Sequence, residues 1–133
     1  MHVLVTGASG GLGGAVCQAF LDAGAQVTGA ARSWPEAAPF QTLSADLGTA
    51  AGCDAMVAEA LKHGPIDALM HLVGGFGGGA PLAETGDQTW DGMMNLNVRV
   101  AFCVMRAAII GLSAARITQN ATRTLRFIIP SQV

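Results

Sequence analysis

Val3-Leu4-Val5-Thr6-Gly7-Ala8-Ser9-Gly10-Gly11-Leu12-Gly13-Gly14 decides the fold of this chain, because an apolar run passes without a linker into a cluster of glycines. The amphipathic run Ala15-Val16-Cys17-Gln18-Ala19-Phe20-Leu21 follows at once. The first run reads as a buried strand and the second as a helix. The backbone must turn sharply between them, which favours Gly7. The helix then aims its free N–H groups and positive dipole end back across the turn, toward an anion. A phosphate held there approaches the backbone so closely that side chains at Gly11 and Gly13 are expected to collide with it.

Outward from this turn, strands and helices alternate. A helix is expected over residues 11–23, stopped by Gly24, and then a second strand over Gln26–Ala31. Pro35 and Pro39 break the segment 33–39 into a loop or a short interrupted helix. A third strand fits residues 40–45, and Asp46 to Thr49 supply a turn and cap for a helix reaching about Lys62. Gly64-Pro65 ends that helix, and 66–73 reads as a fourth strand buried on both faces. The glycines from Gly74 to Gly79 predict a flexible loop. A long helix is expected from Asp87 to about Leu112, apolar around most of its circumference and so buried on the sheet and against something else. A polar connection over 113–124 leads to a last strand over 125–129. The pattern predicts an α/β fold, a parallel sheet with right-handed crossovers in the strand order 3-2-1-4-5.

Composition sets bounds on function. With 133 residues, 51% hydrophobic and 12% charged, the chain can bury one core and is expected to form a single domain over residues 1–133. A net charge of −2 and an aromatic content of 5% argue against nucleic acid as a partner. The first strand begins almost at Met1, so no secretory signal is expected and the compartment is expected to be cytoplasmic. The apolar segment 98–115 is interrupted by Arg99 and Arg106, so no membrane partner is expected. Cys17, Cys53 and Cys103 have no paired spacing; they read as buried apolar residues, and no metal site is expected.

The spacing Thr6-Gly7-x-x-x-Gly11-x-Gly13 resembles the short-chain dehydrogenase/reductase family rather than the commoner fingerprint with two glycines one residue apart followed by a third. The resemblance implies a Rossmann-like doubly wound sheet, a nicotinamide dinucleotide cofactor, and hydride transfer between a carbonyl and an alcohol. It places Thr6, Gly7, Ser9, Gly10, Gly11, Leu12 and Gly13 at the pyrophosphate. Ala31 stands where NAD-preferring relatives carry an acidic residue, and Arg32 with Ser33 follows it. A guanidinium there can pair with a 2′-phosphate, so NADP(H) is expected over NAD(H), which stays possible. The alternative is a solvated arginine at a strand end. Asp46 and Leu47 match the pair that supports adenine in relatives; Asp46 could equally cap the next helix.

The fourth strand departs from the family, whose members mostly end it Asn-Asn-Ala-Gly, whereas this chain has His71-Leu72-Val73-Gly74-Gly75. His71 either takes over a hydrogen bond or is a satisfied core histidine. Val73, Gly74 and Gly75 are expected beside the nicotinamide, and the run 73–78 is similar to a subgroup that includes dihydropteridine reductases. Asn95-Leu96-Asn97-Val98 resembles the family's helix asparagine motif, with Asn97 the better match for a residue that bends the helix and holds a relay water. Asn95, or plain surface exposure of Asn97, is the alternative.

The family's chemistry uses a serine, a tyrosine and a lysine. This sequence contains no tyrosine, and its one lysine, Lys62, has no Tyr-x-x-x-Lys spacing. Ser131 is the candidate serine, with Gln132 the alternative. The resemblance therefore covers the chain but only the cofactor-binding part of the family domain, truncated after the fifth strand. Two functions follow: an oxidoreductase completed elsewhere, acting on a small carbonyl or alcohol substrate, or a non-catalytic NADP(H)-binding module. An unprotected apolar edge leads to the expectation of association, as a homo-oligomer or with a complementary chain.

Overall fold

The computed structural model describes residues 1–35, 37–119 and 126–128. Its elements are β1 (His2–Thr6), α1 (Gly13–Asp22), β2 (Gln26–Ala31), β3 (Gln41–Ser44), α2 (Ala50–Leu61), β4 (Ala68–His71), α3 (Asp87–Met94), α4 (Val100–Gln119) and β5 (Arg126–Ile128). A 3-10 turn, Leu82–Glu84, precedes α3, and a π-turn, Asn95–Arg99, joins α3 to α4. The strands form one five-stranded sheet in the order β3-β2-β1-β4-β5. All pairings are parallel, as the alternation in the sequence predicts.

β1 is the centre of the molecule, and every residue in it is buried. Its side chains alternate between the two faces. Val3 and Val5 pack with Cys17, Ala25 and Val27 under α1, while Leu4 packs with Leu69 and with the helices α2 and α4 on the other face. The latter face also carries two buried polar pairs that the sequence did not disclose together. His2 Nε2 lies 2.8 Å from Thr28 Oγ1, and Thr6 Oγ1 lies 2.7 Å from His71 Nδ1. A buried hydroxyl or imidazole without a partner costs free energy, so these cross-strand pairs also fix which strands lie side by side.

Several boundaries differ from expectation for physical reasons. The first helix begins at Gly13, not residue 11, because residues 10–13 form a turn closed by Gly13 N–H donating to Gly10 O at 3.0 Å. Thr49 caps α2, its hydroxyl accepting from Gly52 N–H at 3.1 Å. The fourth strand is shorter than residues 66–73. The polar connection expected over 113–124 is corrected: α4 continues to Gln119. Residues 112–119 contain no glycine or proline stop, and Ala114, Ala115 and Arg116 are strong helix formers.

The long helix is expected to be buried both on the sheet and against something else, and among the described residues only the first burial is present. Val100, Cys103, Val104, Ala107, Ala108 and Leu112 are buried against the sheet and α2, whereas Trp90, Met94, Val98, Phe102, Ile109 and Ile110 are exposed. A Cβ at Gly111 would stand 2.6 Å from Val57 Cγ1, so the missing side chain lets α4 cross α2 closely. By length and composition alone, the helical stretch Asp87–Leu112 is also sufficient to cross a membrane.

Candidate functional site

The turn after β1 is held from within. Gly7 N–H and Ala8 N–H both donate to Ala30 O, at 2.8 and 3.3 Å, and Gly10 N–H donates to Gly7 O at 3.0 Å. Gly7 has φ +77°, a conformation glycine adopts without strain, and a Cβ on it would stand 3.0 Å from the Leu72 carbonyl carbon. Among the described residues, no group accepts from the amides of Ser9, Gly11 or Leu12. Those three donors, at the N-terminal end of α1, are available to an anion.

The structure revises the reason for the third glycine. A Cβ at Gly13 would lie 2.4 Å from Ala8 O and 2.5 Å from Gly7 O, so the turn's own carbonyls already require glycine there, whatever a phosphate demands. A Cβ at Gly11 meets nothing within 4 Å. Of the two positions, only Gly11 faces open space.

The turn opens into a cleft of about 440 Å³ at the carboxyl ends of the strands, within the usual size range of small-molecule sites. Gly7, Ser9 and Gly10 form one wall. Arg32 and Ser33, after β2, and Asp46 and Leu47, after β3, form the second. Val73 and Gly74, after β4, close the third, with Leu96 and Val100 from the long helix. Thr6, Gly11, Leu12, Gly13 and Gly75 do not line it. Thr6 is fully buried with its hydroxyl against His71, so it supports the turn from below. Leu12 is exposed, Gly13 is packed inside the turn, and Gly75 lies against the long helix. The strand order reverses from β2–β1 to β1–β4 beside this cleft, the usual place for a ligand in an open α/β sheet.

Arg32 is exposed, and the segment after it is anchored by Trp34. Trp34 Nε1 donates to Leu43 O at 3.1 Å, and its ring meets Phe40 edge-on at 5.9 Å between centroids. Asp46 uses Oδ1 to accept from Gly48 N–H at 3.0 Å, while Thr49 takes the cap. One carboxylate oxygen of Asp46 therefore remains for a ligand in the cleft.

Asn97 sits in the middle of the π-turn. Its Oδ1 accepts from Gly75 N–H at 3.0 Å, and its Nδ2 donates to Gly75 O at 2.9 Å and to Met93 O at 3.0 Å. The carboxamide thus grips both polar groups of one residue in the loop after β4. A break in regular helix geometry at such a residue is a frequent mark of a functional position. Nothing in the sequence pattern pointed to Met93, whose sulfur accepts from Gly77 N–H at 3.0 Å.

Burial holds His71 below its usual pKa, and burial likewise lowers that of His2. His71 Nε2 has no partner among the described residues, so the core-histidine reading holds with only one ring nitrogen satisfied. Burial pushes the Cys17 and Cys53 thiols up to about 11, which makes neither a nucleophile. Lys62 pairs with Glu59 on the surface of α2, outside the cleft. Ser131 and Gln132 lie outside the described residues.

The short chain dehydrogenase family matches residues 1–118 of this sequence. The chain belongs to that family. Similar solved structures include the NADH-dependent reductase A1-R′ complexed with NAD, at TM-score 0.77 and 24% identity, covering 95% of this chain and 57% of that one. A variant of the actinorhodin polyketide ketoreductase with NADPH aligns at TM-score 0.81 and 24% identity, covering 96% and 51%. A short chain dehydrogenase from Mycobacterium smegmatis aligns at TM-score 0.78 and 22% identity, covering 96% and 55%. At these identities the likeness is one of fold, and the chain spans little more than half the length of these relatives. No curated protein matches the sequence.

Proposed function

We propose that this chain binds a nicotinamide dinucleotide, NADP(H) in preference to NAD(H), as the cofactor-binding part of an oxidoreductase that interconverts a small carbonyl compound and its alcohol. The observation that carries this reading is the glycine turn, whose residues Gly7, Ser9 and Gly10 wall a cleft rimmed by Arg32 and Asp46, with the Ser9 amide unpaired in that wall and those of Gly11 and Leu12 unpaired next along the chain. The residues present fit such a group. The free amides and the helix dipole suit a pyrophosphate, Arg32 and Ser33 suit a ribose 2′-phosphate, and Asp46 with Leu47 suits an adenine amine and ring. A bound nicotinamide would supply or take up the hydride. Val73, Gly74 and Gly75 are the backbone against which that ring would lie, and Asn97 fixes Gly75 there.

A second reading is favoured by one observation: there is no tyrosine in the sequence, and the single lysine is paired with Glu59 on α2. In that reading the chain is a non-catalytic NADP(H)-binding module. Following NADPH absorbance with a panel of activated ketones, aldehydes and quinonoid pterins separates the two. Turnover by this chain alone contradicts its being only the cofactor-binding part, turnover that appears only with an added Tyr-x-x-x-Lys segment supports the first reading, and NADPH binding without turnover in either case supports the module. The exposed apolar face of α3 and α4 supports association, with a second copy or with a complementary chain.

A further inference from the structure

We infer that Met93 is a positioning residue for the cleft, its thioether latching the glycine loop after β4 in the form that the nicotinamide half of a dinucleotide needs. The inference rests on the dinucleotide reading given above. Residues 74–81 contain glycine at 74, 75, 77, 78 and 79 and adopt no regular structure, so the loop has almost no side chains with which to hold itself. Glycine also loses more backbone freedom on ordering than any other residue. The order must come from outside the loop, and the long helix provides it.

Two side chains one helical turn apart grip alternate residues of the loop. Asn97 takes the N–H and the C=O of Gly75, and Met93 Sδ takes the N–H of Gly77. The two anchors are joined, because Asn97 Nδ2 also donates to Met93 O at 3.0 Å. Contact between loop and helix is close: a Cβ at Gly75 would stand 3.1 Å from Leu96 Cδ2, and Leu96 itself lines the cleft beside Gly74. Moving the loop therefore moves one wall of the cleft. The opposite wall, with Arg32, Ser33 and Asp46, follows β2 and β3 rather than the helix that bears Met93.

A thioether is a weak acceptor on a flexible stem, so this anchor can be released at small cost. Asn97 sets where the loop begins, and Met93 decides how far along it the hold extends. The latch therefore acts on the nicotinamide end of a bound dinucleotide and leaves the adenine end unaffected.

The test uses the full chain and two probes, NADPH and 2′,5′-ADP, which has the adenine and 2′-phosphate but no nicotinamide. Met93→Leu keeps the bulk and removes the sulfur; Met94→Leu, at the exposed neighbouring methionine, is the control. Met93→Leu is expected to weaken NADPH binding roughly three- to tenfold, the scale of one neutral hydrogen bond, and to reduce the nicotinamide fluorescence change. Affinity for 2′,5′-ADP and both affinities of the control are expected to stay at the wild-type values. Unchanged NADPH binding in Met93→Leu overturns the latch, and so does an equal loss for both probes, which marks a merely structural role. If the wild-type chain binds 2′,5′-ADP as tightly as NADPH, the nicotinamide half gains nothing from the wall and the latch fails while the nucleotide reading stands. Binding of neither probe overturns both.

Discussion

Arg32 and the glycines at 11 and 13 carry the sharpest consequences at the scale of single residues. Replacing Arg32 by Ala removes the only cation that the described residues place on the cleft's second wall. The loss is expected to cost NADPH about 1–3 kcal/mol of binding, the range of a charge-assisted hydrogen bond, and to leave NADH unaffected. Parallel fluorescence titrations check it; equal effects on the two cofactors contradict the assignment. Gly11 and Gly13 look equivalent in sequence, yet a Cβ at one enters open space and at the other strikes the Ala8 carbonyl. Gly13→Val is therefore expected to lower stability by about 3 kcal/mol or more, from overpacking against backbone. Gly11→Ala should fold normally, with an unchanged melting temperature, and lose dinucleotide affinity. The sequence showed that these positions demand small residues; only the geometry separates a demand of the fold from room for a ligand.

At the scale of elements, β1 was legible because a strand buried on both faces is apolar throughout its middle, and Gly24, Gly64-Pro65 and the capping Thr49 marked helix ends through local chemistry. The resemblance pointed to a bend at Asn97, but the π-turn itself was not legible, since two of the three Asn97 hydrogen bonds reach Gly75, twenty-two residues away, and the third returns to Met93 O on the same helix. The His2–Thr28 and His71–Thr6 pairs were hidden for the same reason: each joins strands that only the sheet brings together. They have a pH consequence. Burial lowers the pKa of both histidines below 6.5, so as pH falls through that value the unfolded chain takes up protons that the folded chain refuses. Stability is then fully present above about pH 6.5 and declines below it. Urea unfolding midpoints at a series of pH values between neutrality and mild acid should show this fall; a flat profile contradicts the buried neutral state.

For the whole molecule, the order β3-β2-β1-β4-β5 followed from alternation and crossover handedness, whereas the arrangement of the long helix did not. Its composition implied two partners. One is the sheet with α2; the face bearing Met94, Val98 and Phe102 is left exposed. Charged substitutions there, Val98→Glu with Phe102→Glu, are expected to shift light-scattering mass toward the monomer, and a wild-type chain already monomeric at micromolar concentration contradicts association. Family membership and the cleft converge on one ligand class, so the most direct measurement is calorimetric titration of the full chain with NADPH and NADH. Saturable one-to-one binding, tighter for NADPH and abolished by Gly11→Val in a protein that still folds, is the expected result. Absence of heat and of displacement for either cofactor at millimolar concentration would contradict the assignment of this cleft to a nicotinamide dinucleotide.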